Sequence, residues 1–545
     1  MTTTRDLVTH RLATALESSL GATTEIEVVR PSLAEHGDFS TNAALKLAGT
    51  LRRPPRDVAS ALVEAIGAGD GDELLARAEV AGPGFVNLWL AASHVEASVD
   101  AIRAPGTDYG RSPTDQPRRI NVEFVSANPT GPLTVGNARG AFVGDLLCRV
   151  LEAAGHDVTR EYYFNDAGTQ VEKLGESVRA VRLGQPVPED GYHGSYVEDL
   201  AGDVPVEVWQ QAAADETRAG WIIGDWAQRR IREGIEASLQ RLGVRFDVWT
   251  SEQAIVDDGW VEQAVDRLRA AGHAYESEGA LWFASTAFGD DKDRVIFRSN
   301  GEPTYFAKDI GYVTEKFSRS FDELIYVWGA DHHGTVARLR NAAQALGFER
   351  DSVNVLLIAW VRFVRDGVEV SMSKRSGEFV TLDELLAEVG VDAARWFFAS
   401  RAPSTGIDFD IELAKKESSE NPVYYVQYAH ARISSILRKA REEGLSAAAS
   451  LEGGLAHDDI SLGLAKDLLR LPDIVRDSAA ERETQAITAY ATELATTFHA
   501  FYRDRRVVDK SDPQTSAYRL ALVDATRVTL AAALGLLGIS APESM

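Results

Sequence analysis

The sequence predicts an α/β protein: a doubly wound parallel (Rossmann-like) sheet set between an N-terminal α+β domain and a C-terminal all-α helix bundle. Three observations carry this. From 118 to 400, strand-like apolar runs alternate with helical periods. One apolar strand (Ile120, Val122, Phe124) breaks into a Pro/Gly turn and then opens a helix. After Arg401-Ala402-Pro403, alanine and leucine recur at helical spacing to the end. The expected division is 1–104 for the N-terminal domain, 105–117 for a linker, 118–400 for the central domain with an insertion at about 173–292, and 401–545 for the helical domain.

In chain order, Val8, Leu12, Leu16 and Leu20 fall four apart on one helix face, and Gly21 ends that helix. A short strand at Ile26 and Val28 follows, then helices near 41–51 and 57–66 and a strand at 85–90. Three prolines among small and polar residues mark 104–117 as a linker. The central domain reads as strand 120–125, helix 138–154 closed by Gly155, and strand 158–164. Strand 324–328, helix 335–346 and strand 355–360 come later. Long helices such as 217–242 lie in the insertion.

The charge balance, 57 basic against 82 acidic residues for a net charge of −25, excludes nonspecific coating of nucleic acid. A structured RNA met through local basic patches remains compatible with it. Arg52-Arg53-Pro54-Pro55-Arg56 and Arg503-Asp504-Arg505-Arg506 are the candidate patches, with plain solvated surface as the competing reading. The single cysteine, Cys148, excludes an internal disulfide and a cysteine-based zinc site; it fits a reducing compartment and reads as a packed, inert side chain. Apolar runs look too short to span a bilayer, and the N-terminus lacks the order of a signal peptide. A cytoplasmic protein without a membrane partner is expected.

The chemistry concentrates in a few places. Ser126 to Gly140 reads Ser-Ala-Asn-Pro-Thr-Gly-Pro-Leu-Thr-Val-Gly-Asn-Ala-Arg-Gly, a strand-to-helix turn where backbone N–H groups and the helix dipole converge. Phosphates are best received at such a point. Met372-Ser373-Lys374-Arg375, flanked by Ser371, Ser376 and Gly377, places a lysine on a loop able to close over a leaving pyrophosphate. Gly329-Ala330-Asp331-His332-His333 follows a strand at the sheet edge where such folds bind ligands. Its paired histidines lack a third ligand at metal spacing, so no metal site is expected. Tyr305 and Asp309, four apart on a probable helix, share a face. For Asp309 the competing reading is a salt bridge with Lys308 or Lys316. Glu123 on an apolar strand is harder to dismiss, because burying an unpaired carboxylate is costly.

These motifs resemble those of class I aminoacyl-tRNA synthetases, and more closely the arginyl-tRNA synthetases, over essentially the whole chain. In the N-terminal domain, 35–42 (Glu-His-Gly-Asp-Phe-Ser-Thr-Asn) and 80–87 (Val-Ala-Gly-Pro-Gly-Phe-Val-Asn) look like that family's additional domain, which contacts the tRNA elbow. Residues 161–168 (Glu-Tyr-Tyr-Phe-Asn-Asp-Ala-Gly) are similar to a block beside its active site. Residues 425–432 (Tyr-Val-Gln-Tyr-Ala-His-Ala-Arg) look like the start of its anticodon-binding helices, and Leu536-Leu537-Gly538-Ile539 with Ala541-Pro542-Glu543 matches its usual close.

The resemblance implies an arginine–tRNA ligase using arginine, ATP with Mg2+, and tRNA(Arg), and a monomer. It implies Tyr305 and Asp309 at the guanidinium; Glu123, Ser126 and Asn128 near the substrate's α-carbon; and His333 beside the amino acid. Pro132, Gly136, Asn137, Gly329, Asp331, Met372 and Lys374 fall to ATP, with Thr134, Asn137 and Lys374 as catalytic. Two departures stand out. The signature His-Ile-Gly-His reads Thr134-Val135-Gly136-Asn137, and Ser371 and Arg375 replace the outer residues of Lys-Met-Ser-Lys-Ser. Losing one donor to developing phosphoryl charge costs roughly 10²–10³ in rate. A second reading is therefore a paralogue that binds tRNA or arginine but adenylates poorly, or a specialised copy for inhibitor resistance or a biosynthetic pathway. A third is another nucleotidyl-transfer enzyme of the superfamily.

Overall fold

The computed structural model describes residues 2–69, 71–104, 108–370 and 380–545. Among the described residues, a five-stranded parallel sheet forms the centre. Its order is Val353–Ile358, Glu323–Gly329, Arg119–Glu123, Asp157–Phe164, Val248–Ser251. The chain enters at Arg119–Glu123, winds outward one way through two strands, then returns to build the other side. The order therefore reverses between Arg119–Glu123 and Glu323–Gly329, and ligands of such sheets sit at that switch point, outside the strand C-termini. The segment expected as an insertion, about 173–292, does not stand apart. It supplies the edge strand Val248–Ser251, too short and too polar to announce itself in the sequence. The same segment carries the antiparallel strands Ala274–Ser277 and Ala280–Phe283, which pair on with Arg294–Phe297.

The helix Val135–Ala153 runs through the middle of the molecule and is buried on nearly all sides. Its faces are apolar apart from a few charged side chains, of which Arg139 and Asp145 are themselves buried. Gly144 lets it lie directly on the sheet, since a Cβ there would come within 2.3 Å of the Phe124 ring. Cys148 on this helix is fully buried, which pushes its thiol pKa up and keeps it an inert packed side chain.

In the N-terminal domain, helix Thr4–Leu20 ends at Gly21 in a left-handed conformation, and helices Ala43–Leu51 and Pro55–Ile66 pack on a four-stranded antiparallel sheet. The strands Phe39–Thr41 and Leu75–Ala81 and the helix Ala92–Ile102 escape the sequence reading. The described part of the linker, residues 108–117, is tied to the rest of the molecule. Ser112 and Thr114 N–H groups donate to Ala153 and Ala154 carbonyls at 2.9 Å, and the Tyr109 hydroxyl donates to the Leu468 carbonyl.

Residues just past 401 still belong to the central part, because strand Ile407–Asp410 pairs in parallel with Val361–Arg365. The bundle proper follows: Pro422–Glu442, Asp459–Leu468, Leu471–Glu481, Gln485–Asp504 and Pro513–Leu537. Pro513–Leu537 has a mean hydropathy of 1.7 over its most apolar window and would be long enough to cross a bilayer, which corrects the expectation of no such run. Here Leu520, Leu530 and Leu534 are buried among the other helices, as in the core helix of a bundle.

The N-terminal domain docks on the bundle through charge. Arg5 pairs with Asp477 (2.6 Å), Arg476 with Asp6 (2.5 Å) and Lys466 with Asp38 (2.8 Å), and buried Glu96 accepts the N–H groups of Gly453 and Leu455. Deeper still, Arg395 donates to the carbonyls of Leu537 and Leu242 and to Asp145 in the central helix. Without Arg395, Asp145 keeps Arg149 at 2.7 Å, but the buried carbonyls of Leu537 and Leu242 lose their donor. Arg395→Ala is expected to lose about 2–4 kcal/mol of stability, read as a lower urea midpoint.

Candidate active site

At the switch point the strand Arg119–Glu123 ends and the chain turns sharply. Val125 and Ser126 both take positive φ (67° and 43°), a conformation that costs a β-branched valine on the order of 1–3 kcal/mol. Local hydrogen bonds hold the turn. The Ser126 hydroxyl donates to Glu123 and accepts the Tyr163 N–H, and the Tyr162 hydroxyl both donates to the Ala127 carbonyl and accepts its N–H. Helix Val135–Ala153 then starts at Thr134. The Thr134 N–H and hydroxyl both donate to Asn137 Oδ1, at 3.0 and 3.1 Å. The two departing residues thus form a self-contained pair, and the Thr134 hydroxyl proton points to Asn137 rather than outward.

Past the residues 371–379, the chain returns to this turn. The Val135 N–H donates to the Val380 carbonyl, and the Leu382 N–H to the Leu133 carbonyl at 2.8 Å. Met372 and Lys374 lie outside the described residues; Val380 and Thr381 anchor the segment that follows them against the helix start.

Two cavities share Thr134 and Asn137. The first, about 670 Å³, lies between the helix start and the next strand's end and includes Gly136, Asn137, Gly329, Asp331, Trp328 and Trp360. Its floor holds Arg139, whose guanidinium donates to the carbonyls of Ala359 and Ala402 at 2.9 Å and is pulled down by burial to a pKa of about 10. The second, about 560 Å³, includes Asn128, Pro132, Tyr192, His193 and Tyr196; the Tyr196 hydroxyl donates to the Thr130 carbonyl, and Asn128 donates to Gln170.

Beside the strand ends, the helix Tyr305–Ser318 turns Tyr305, Asp309, Tyr312 and Lys316 to one face. Lys316 is fully buried; its Nζ lies 2.6 Å from Glu123 Oε2 and 4.4 and 4.2 Å from the ring centres of Tyr312 and Tyr326. Lys308 pairs with buried Glu252 at 2.5 Å, and the Tyr163 hydroxyl donates to the other oxygen of Glu252. Glu161 accepts from Asn121, Thr250, Tyr312 and Arg319; against the opposing effect of burial, Lys316 and Arg319 hold its pKa below the usual carboxylate range. Asp309 is the exception. Half-buried, it has no hydrogen-bonding or ionic partner among the described residues, and burial together with the charges of Glu123 and Glu252 pushes its pKa up to about 7.

Measured against the sequence reading, the structure brings Gly136, Asn137, Gly329 and Asp331 onto one cleft and Asn128 and Pro132 onto the adjoining cavity. Asp309 is salt-bridged neither to Lys308 nor to Lys316, because each already holds another carboxylate. Glu123, expected to meet the substrate's ammonium, has both oxygens engaged by Lys316 and Ser126. Tyr305 is 73% exposed on the first turn of its helix, and His333 is exposed at the start of His333–Ala345, outside the lining of either cavity. Arg139, Tyr163, Glu252, Lys308 and Lys316 escaped as site residues. The sequence reading names Lys308 and Lys316 only as possible salt-bridge partners of Asp309, and Tyr163 only within the block 161–168.

The central region matches the model of the class I (R) tRNA synthetase catalytic domain over residues 99–190 and 210–402. Together with the switch-point cleft, this defines the chain as a class I aminoacyl-tRNA synthetase. Residues 4–90 match the arginyl-tRNA synthetase N-terminal domain, and 426–545 match the DALR anticodon-binding domain. An arginine–tRNA ligase of Citrifermentans bemidjiense is 46% identical over 96% of both chains, and one of Geobacillus kaustophilus is 44% identical over 94% of this chain and 92% of its own. The Thermus thermophilus arginyl-tRNA synthetase structure superposes with a TM-score of 0.78 at 26% identity, covering 99% of this chain and all of that one. The arginyl-tRNA synthetase of Plasmodium falciparum, 15% identical with a TM-score of 0.78, shares the fold. The chain belongs to the arginyl-tRNA synthetase family, and its activity is the ATP-dependent ligation of arginine to tRNA.

The raised pKa of Asp309 has a cost without substrate. Unfolded, its carboxyl titrates near ~3.9; folded, near 7. Between these values the folded chain holds a proton the unfolded chain has lost, so stability falls as pH rises through the window. Asp309→Asn is expected to raise the apo protein's unfolding free energy by about 1–2 kcal/mol at pH ~8, after allowance for partial exposure, and to leave it unchanged at pH ~4. Thermal melts at the two pH values check this.

Proposed function

We propose that Asp309 is the acceptor of arginine's guanidinium, that Tyr305 closes over it, and that ATP lies in the cleft between Gly136–Asn137 and Gly329–Asp331. One observation carries this reading: a half-buried carboxylate without a hydrogen-bonding or ionic partner among the described residues, near Tyr163, Tyr326 and the already-paired acids Glu123 and Glu252. A planar cationic fork is the ligand such a carboxylate needs. The substrate's α-ammonium is then met by the turn at Ser126 and Asn128 rather than by a free Glu123, and its carboxylate attacks the α-phosphate in line. Pyrophosphate leaves as Lys374 moves against it. Mg2+ enters with the nucleotide and neutralises the leaving pyrophosphate; no group of three metal-ligating side chains among the described residues suggests a separate cage. The terminal ribose hydroxyl of tRNA(Arg) then takes the arginyl group, and activation requires the bound tRNA.

The tRNA spans the N-terminal domain and the bundle. Arg52 and Arg53, exposed and without acidic partners among the described residues, are the better phosphate contacts. Arg503, Arg505 and Arg506 are each already paired with an aspartate, which lowers their value there. The enzyme acts as a cytoplasmic monomer, with Pro513–Leu537 as a core helix of the bundle rather than a membrane span.

Asp309→Asn is expected to raise the KM for arginine by about 10²-fold or more, as loss of a charged hydrogen-bonding partner does, with the KM for ATP unchanged. Aminoacylation kinetics decide this; an unaltered arginine KM would overturn the assignment. Thr134→His supplies an outward donor in place of a hydroxyl turned toward Asn137. It is expected to raise arginine- and tRNA-dependent ATP–pyrophosphate exchange by about tenfold or more. A slower enzyme would mean instead that the Thr134–Asn137 pair sets its own ATP pose.

A further inference from the structure

A seam of charge joins helix Thr4–Leu20 of the N-terminal domain to helix Leu471–Glu481 of the bundle. Arg5, Asp6 and Arg30 stand on one side, and Asp473, Arg476 and Asp477 on the other. Three carboxylates thus meet three guanidinium groups. Arg5 forks onto Asp477 at 2.6 and 2.9 Å, and Arg476 reaches across to Asp6 at 2.5 Å. Asp473 sits buried between them, with Arg476 at 3.2 Å, Arg5 at 3.4 Å and Arg30 at 3.8 Å.

Arg30 is the dependent member of this set. Its guanidinium lies 4.4 Å over the Phe39 ring, and Asp473 is its only ion-pair partner among the described residues. Neither Arg30 Nη2 nor Asp473 Oδ2 has a hydrogen-bonding partner among them, so charge alone links the two. Arg5 and Arg476 each keep a second carboxylate if Asp473 is lost. Arg30 keeps none, and removing one partner of a buried pair strands the other.

We propose that Asp473 is a positioning residue for tRNA: by balancing Arg30 together with Arg5 and Arg476, it holds the N-terminal domain and the bundle at one fixed span. This rests on the reading that the tRNA lies across both domains. Apolar burial is non-directional and lets one face slide on another, whereas paired charges fix the register of two faces. A stiff ligand that must touch two domains makes its second contact as an intramolecular event only when their span already suits it. Otherwise, ordering the domains costs affinity. Without the Asp473 carboxylate, the seam opens to return Arg30 to water, and the span is no longer set before tRNA arrives.

The test is tRNA charging by the full-length enzyme, with KM measured separately for tRNA, arginine and ATP. The variants are Asp473→Asn, Arg30→Gln/Asp473→Asn and Arg52→Gln/Arg53→Gln, beside the parent. A second measurement reads the span itself. It is the distance distribution between spin labels at Glu64→Cys in the N-terminal domain and Glu442→Cys in the bundle, both exposed, with buried Cys148 left unlabelled. Asp473→Asn is expected to broaden that distribution without tRNA and to raise the tRNA KM about tenfold. Its kcat, and its KM for arginine and ATP at saturating tRNA, stay at the parent's values. Arg30→Gln/Asp473→Asn, which has no stranded guanidinium, returns both readouts most of the way to the parent. A parent-like distribution in Asp473→Asn, an unmoved tRNA KM, or a double variant no better than the single one overturns the proposal. Arg52→Gln/Arg53→Gln separates the two levels. If it too leaves the tRNA KM unaltered, the reading that tRNA lies across the N-terminal domain is wrong. If it raises the tRNA KM while Asp473→Asn does not, only the role of Asp473 falls.

Discussion

A carboxylate taken from water needs a cation, and the centre of this enzyme is organised by that requirement. Glu123 ends its strand, Glu161 lies opposite it on the neighbouring parallel strand, and Glu252 stands at the helix start just past the third; each must be matched or its burial is ruinous. The helix Tyr305–Ser318 and the residue after it meet most of the need, with Lys308, Lys316 and Arg319 spaced along one length of chain. Asp309, on the same helix, is left over. An unmet charge that would be a defect in a core is what the proposed guanidinium site requires.

The cleft proposed for the nucleotide rests on a different physics. It uses backbone dipoles, a strained turn and a helix start rather than side-chain charge. The two halves touch at Glu123 and Ser126, where the end of the strand carrying a paired acid becomes the turn that leads to the helix. In the function proposed above, amino acid and ATP lie on either side of one strand end, which brings a carboxylate within reach of an α-phosphate.

The same central helix couples the site to the rest of the molecule. Its first turn borders both cavities, its middle holds Asp145 against Arg395, and its end receives the linker at Ser112 and Thr114. Arg395 in turn grips the C-terminus of the last bundle helix. Asp38, within a block that resembles a tRNA-contacting domain, ties to Lys466 of the bundle, so part of that motif serves the docking of one domain on another.

Much of this architecture was legible in the residues. Periodicity placed the main strands and helices of the sheet, and Gly21 and the Pro/Gly turn marked their ends, because backbone preference and apolar spacing are local properties. Short polar strands such as Val248–Ser251 were not legible, since their pairing partners lie about ninety residues away. Asp309 and Tyr305 on one helix face, and Gly136 in the turn at a helix start, were visible as residue types and spacings. Whether Glu123 was free, which acid Lys308 held and where the Thr134 hydroxyl pointed were not. Those depend on distances between side chains remote in sequence, and a charge acquires its meaning from what folding sets beside it.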